Sequence, residues 1–212
     1  MAKRRSGADS AARFIPEKPT LTSAREASRD CRGCDLWRRG TQTVFGEGRR
    51  TARVVFVGEQ PGDQEDVTGK PFVGPAGRLL DKALEQAGID RRDVYVTNVV
   101  KHFKWESRGK RRIHQKPNSA EIQACRPWLD VELALVKPLL VVCLGATAAQ
   151  AILGSTFKVT QHRGEFIEGV ISSAVTATVH PSSILRAPDD ESRHRELARF
   201  VEDLKRVAQR LQ

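Results

Sequence analysis

The sequence predicts an α/β fold, a three-layer αβα arrangement around a central, mostly parallel four-stranded sheet. Three observations carry that prediction. Short β-branched runs alternate with segments of helical periodicity, the first run ends in glycine, and each helix-like segment carries its own start or stop signal. Ala52 to Gly58 (ARVVFVG) reads as a buried strand, and Gly77 to Gly88 as a helix with Leu79, Leu80, Ala83, Leu84 and Ala87 on one face. Val94 to Val100 is the second strand. Asn118 and Glu121 form a capping-box pattern that opens a helix running to about Val136. Leu139 to Leu144 is the third strand and Ala146 to Leu153 a short helix. Phe166 to Val179 holds two β-prone pieces around Glu168-Gly169, and a last helix runs from about Asp189-Asp190 to Leu211. Residues 1–20 read as a disordered basic tail, and 21–212 as a single domain.

The formal net charge is +10, which makes nucleic acid the first partner to consider. The charge is concentrated. Between Lys101 and Lys116 seven cations face one acid, Glu106, and within that stretch lies Gly109-Lys110-Arg111-Arg112-Ile113-His114. Such a run predicts a polyanion-binding loop rather than an evenly solvated face. No stretch approaches the ~20 apolar residues of a membrane span, and the basic N-terminus lacks the apolar core of a signal peptide. A cytoplasmic, monomeric protein is expected, with no membrane partner and with its thiols reduced.

Four cysteines are present, Cys31 and Cys34 as C-x-x-C, then Cys125 and Cys143. A two-residue gap lets both thiolates of the pair reach one centre. The pair precedes the first strand, which argues against a redox motif within a βαβ unit. A four-thiolate site is the favoured reading, and spacing does not separate zinc from an iron–sulfur cluster. For Cys143 alone, a small buried hydrophobe is the common alternative.

In parallel sheets the ligand crevice lies beyond the carboxyl ends of the strands. That placement selects Gly58-Glu59-Gln60-Pro61-Gly62-Asp63, then Asn98 with the basic loop, then His180-Pro181-Ser182-Ser183. Three polar segments distant in sequence are expected at one edge.

Taken together these motifs resemble the uracil-DNA glycosylases of the iron–sulfur branch, family 4. Gly58 to Gly62 (GEQPG) and His180 to Ser183 (HPSS) are similar to its two active-site motifs, and Gly69 to Gly77 (GKPFVGPAG) to the segment bearing a base-stacking aromatic. The resemblance extends from about Cys31 onward. It implies a 4Fe-4S cluster, with zinc the lesser alternative, on Cys31, Cys34, Cys125 and Cys143. Two departures, Gln60 where alanine is common and the inserted loop with KRRIH, are similar to the UdgX class. Members of that class excise uracil and stay covalently attached through the histidine of that loop, here His114.

The resemblance implies uracil-containing DNA as partner, single strands preferred, since a base must leave the stack to be reached. Phe72 would stack on the flipped uracil, Asn98 would read its O4 and N3–H, and His180 would donate to O2 as charge builds. Glu59 and Asp63 would stabilise the sugar cation or accept a proton, with Gln60 beside them in catalysis and uracil binding. Lys110, Arg111, Arg112, Ser182 and Ser183 would hold the DNA. Nearby cations favour a neutral imidazole, so His114 would keep a free lone pair and add to C1′. Two alternatives stand beside this reading. One is a hydrolytic glycosylase that turns over; the other is a non-catalytic iron–sulfur module that binds nucleic acid.

Overall fold

The structure is a computed structural model and describes residues 10–169 and 173–212. Its elements follow the chain as α1 (Leu21–Ser28), β1 (Val54–Gly58), α2 (Asp63–Thr68), α3 (Pro75–Gln86), β2 (Val94–Asn98), β3 (Trp105–Arg108) and β4 (Arg111–His114). Then come α4 (Ser119–Val136), β5 (Leu140–Leu144), α5 (Ala146–Leu153), α6 (Val159–His162), β6 (Phe166–Ile167), β7 (Ala174–Thr178), α7 (Pro181–Leu185) and α8 (Asp190–Leu211).

The main sheet has the order β2-β1-β5-β7-β6. Its first four strands are parallel, and β6 pairs antiparallel with β7. The three-layer, mostly parallel architecture is therefore as expected, with five strands rather than four. The fifth is the two-residue β6, too short to separate from its neighbour by pattern.

Alternate residues of β1 serve the two faces of the sheet. Val54 and Phe56 pack with Leu80 and Leu84 of α3 and with Phe200 and Leu204 of α8. Val55 and Val57 pack with Trp128 and Leu129 of α4. All four are fully buried, and each such side chain contributes about 1.5–3 kcal/mol of transfer free energy. Because both faces are covered, the strands read as unbroken apolar runs. The helix α4 starts where the capping box places it: Asn118 accepts from the Glu121 N–H at 2.9 Å, and Glu121 accepts from the Asn118 N–H at 2.7 Å.

Two expectations are corrected. Residues 11–14 form a turn of 3-10 helix with Ala11 buried, and Phe14 and Ile15 pack against the core. That part of the expected tail belongs to the fold; residues 1–9 lie outside the described residues. The basic loop is also not a loop. It is a hairpin of β3 and β4, with Trp105 opposite His114 and Ser107 opposite Arg112. It turns at Gly109, whose φ of 60° is one that glycine adopts without strain.

Candidate active site

Gly58, Asn98, Leu144 and Thr178 end β1, β2, β5 and β7 at one edge of the sheet. Beyond that edge lies a cavity of about 980 Å3, walled by Glu59, Phe72, Asn98, His114, Thr147 and His180. The three distant segments do meet, as the crevice rule requires.

Phe72 holds a backbone φ of 57°, the left-handed region that a bulky side chain adopts only when its surroundings force it. Its ring lies 6.3 Å from that of His180, at 29° between planes. A Cβ on Gly58 would collide with the Asn98 amide oxygen and come within 2.8 Å of the Phe72 ring. Only glycine lets the amide and the aromatic close over the end of β1. Asn98 is buried with its amide at the cavity wall. An amide there donates to one carbonyl and accepts from one N–H, the pattern that uracil presents and cytosine does not.

His180 caps α7. Its Nδ1 accepts from the Ser182 N–H at 3.1 Å and lies 2.8 Å from the Ser182 hydroxyl. Desolvation pushes its pKa down to about 4, against the opposing pull of Glu59. The ring is neutral at physiological pH, and with Nδ1 accepting, its proton sits on Nε2. Ser182 thus orients the histidine. Ser183 is exposed and its hydroxyl donates to the His180 carbonyl at 2.7 Å.

Glu59 lies 3.3 Å from His114 Nε2 through Oε1, and the Thr147 hydroxyl donates to its Oε2. Burial raises the Glu59 carboxyl, but the hydrogen bonds from His114 and Thr147, with the two imidazoles close by, outweigh it. The group ends below the ordinary carboxylate range. His114 is half exposed, and its ring lies 6.2 Å from that of Phe103.

The residues around the hairpin take roles that the sequence did not give them. Gln60 is buried and turned to the hairpin backbone. Its amide donates to the Lys104 and Gln115 carbonyls, both at 3.1 Å, and accepts from the Lys104 N–H at 3.2 Å. Arg112 points inward. It pairs with Asp63 at 2.6 Å and with the fully buried Asp66 at 2.5 Å, and lies 5.5 Å from the Phe103 and Trp105 rings. Asp63 therefore faces Arg112 rather than His114. Asp66 also accepts from the Thr41 N–H and hydroxyl, and the Trp105 indole N–H donates to the Arg39 carbonyl at 2.9 Å. Lys110 and Arg111 remain exposed.

The cysteines are only partly gathered. Cys34 feels the charge of Cys31, and Cys125 feels both. The Trp128 indole N–H donates to Cys31 Sγ at 3.2 Å, and the Lys101 backbone N–H to Cys125 Sγ at 3.2 Å. Cys143 lies within β5 between Val57 and Ala177, in the same buried cluster as Cys31 and Cys125. Burial pushes the thiols up, Cys34 to about 11 and Cys125 to about 12. Among the described residues, no three His, Cys, Asp or Glu side chains are already set in metal-holding geometry. Cys31, Cys34 and Cys125 are near enough to sense one another. His102, buried and laid over Gly40 in the segment that leads away from Cys34, borders the same region and carried no signal in the sequence.

No described helix is long and apolar enough to cross a membrane. The profile of the uracil DNA glycosylase superfamily matches residues 45–205. A type-4 uracil-DNA glycosylase of Thermotoga maritima is 39% identical over 184 residues, 86% of this chain and 90% of that protein. One of Pyrobaculum aerophilum is 35% identical over 175 residues, 79% of this chain and 86% of that protein. A type-5 uracil-DNA glycosylase of the same organism is 32% identical over 184 residues, 78% and 77% of the two chains. The matched span contains every wall of the cavity, and the chain belongs to the uracil DNA glycosylase superfamily.

Proposed function

We propose that the chain excises uracil from DNA and is then captured on the abasic sugar through His114, in a single turnover. One observation carries the reading: the His114 imidazole, paired with Glu59 at 3.3 Å, stands at the wall of the cavity that holds Asn98, Phe72 and His180. A flipped uracil stacks on Phe72 and pairs with the Asn98 amide. As the bond between C1′ and N1 of uracil breaks, its electron pair leaves with the base. The His180 Nε2–H donates to O2, where negative charge collects. The sugar becomes oxocarbenium-like, and the Glu59 carboxylate stabilises it. A lone pair of the His114 ring then bonds to C1′, and the remaining ring N–H proton passes to Glu59. The product is a neutral N-alkyl imidazole, a poor leaving group, so the adduct persists.

Lys110 and Arg111 hold the flanking phosphates, and single strands, already unstacked, are the preferred substrate. Cys31, Cys34, Cys125 and Cys143 would hold an iron–sulfur cluster or zinc. Such a centre would serve to tie the N-terminal segment to α4.

The test is a denaturing gel of the protein with a labelled single-stranded oligonucleotide carrying one uracil, beside a thymine control. The reading requires a uracil-dependent band that survives heat and detergent and maps to the peptide of His114. Alkali-labile DNA without that band would make the chain a hydrolytic glycosylase that turns over. Equal binding of uracil-free DNA with no base released would leave only a nucleic-acid-binding module.

A further inference from the structure

Behind the cavity lies an ion pair that the chemistry above does not use. Lys101 and Glu132 are both completely buried, with Nζ 2.5 Å from Oε2. All three ammonium protons are spent on oxygen: Glu132, the Thr97 hydroxyl at 2.6 Å and the Asn98 carbonyl at 2.8 Å. Glu132, on α4, also accepts from the Thr97 hydroxyl at 2.8 Å, the Tyr95 hydroxyl at 3.1 Å and the Gly46 N–H at 2.7 Å. A buried pair of this kind is seldom more stabilising than apolar side chains of equal size. Its geometry therefore points to another use.

We infer that Lys101 is a positioning residue for the Asn98 amide, a strut from the Glu132 carboxylate to the last residue of β2. Asn98 stands where the parallel ladder ends, and Lys101 follows it by three residues. The same residue's backbone N–H meets Cys125 Sγ at 3.2 Å. One lysine thus fixes the end of β2 from α4 while its own backbone is anchored beside the cysteine site. The inference rests on the reading of Asn98 as the group that recognises uracil.

The experiment compares wild type, Asn98→Ala and the double variant Lys101→Met with Glu132→Gln. It measures single-turnover uracil release from a single-stranded oligonucleotide with enzyme in excess. The amide oxygen that replaces the Glu132 carboxylate can still accept from Gly46 and Tyr95, and no buried charge is left alone. The double variant is expected to keep its urea midpoint and its affinity for uracil-free DNA. Its rate at saturating enzyme should fall about 100-fold, the scale of a 1 Å misplacement, with the half-saturating concentration unmoved. A second pair, Lys101→Leu with Glu132→Met, repeats the test with wholly apolar side chains. Folded double variants that release uracil at the wild-type rate would overturn the strut alone. Wild-type release by Asn98→Ala would overturn the reading of Asn98 and the strut together.

Discussion

Gln60 and Lys104 exchange two hydrogen bonds, the Gln60 amide donating to the Lys104 carbonyl at 3.1 Å and accepting from its N–H at 3.2 Å. A third bond, to the Gln115 carbonyl, means that one side chain grips both flanks of the hairpin. Each such bond contributes about 0.5–1.5 kcal/mol net. Gln60→Ala should therefore loosen the hairpin without unfolding the sheet. We expect the crosslinked fraction to fall while uracil release persists. Gel quantification of adduct beside a count of free uracil checks this; an undiminished adduct yield would remove Gln60 from hairpin positioning.

His114→Ser should convert capture into hydrolysis. The small side chain leaves room for water next to Glu59, whose carboxylate still accepts from the Thr147 hydroxyl. Free uracil should then exceed the enzyme present, with no heat-stable band. A variant that still crosslinked fully would exclude His114 as nucleophile.

Gly58→Ala should cost at least about 100-fold in excision rate, the scale of a 1 Å displacement. The new methyl would collide with the Asn98 amide oxygen. The urea midpoint should move far less than the rate, since the collision lies at the cavity and not in the core. Equal rates for variant and wild type would show that neither Asn98 nor Phe72 needs its present place.

Acid should weaken the fold through its histidines. His180 and His102 both titrate near 4 because burial disfavours the cation, against about 6.5 when unfolded. Between those values the unfolded chain binds more protons, so stability is full above pH ~6.5 and declines as pH falls toward 4. Glu59 acts in the same direction at lower pH, its folded carboxyl being depressed. Urea melts at pH 7 and 4.5 test the sign. Two-dimensional NMR should find His180 still neutral at pH 5.5.

Lys101→Met alone should destabilise by about 3–5 kcal/mol, because it strands the buried Glu132 carboxylate. For the cysteines, Cys125→Ser should abolish any visible iron–sulfur absorbance of the purified protein.

Much of this was legible in the sequence. The capping box of Asn118 and Glu121 and the unbroken apolar run of β1 are local signals, and the elements lie where those signals place them. The crevice rule then brought Glu59, Asn98 and His180 together. The hairpin was not legible. Its strands show no apolar alternation, and what holds them is remote: Gln60 from the end of β1, Asp66 from α2, the Arg39 carbonyl from the N-terminal segment. The inward turn of Arg112 was hidden for the same reason, since a cation in a basic run gives no hint of a buried carboxylate 46 residues earlier.

The hairpin shares no strand with the five-stranded sheet. It is held instead by side chains and one indole. It is a separable module: the segment between Lys104 and Gln115 can be exchanged without rewriting the ladder that builds the pocket. Transplanting the hairpin together with its glutamine and its two aspartate anchors is the smallest exchange that could carry the proposed capture to a relative.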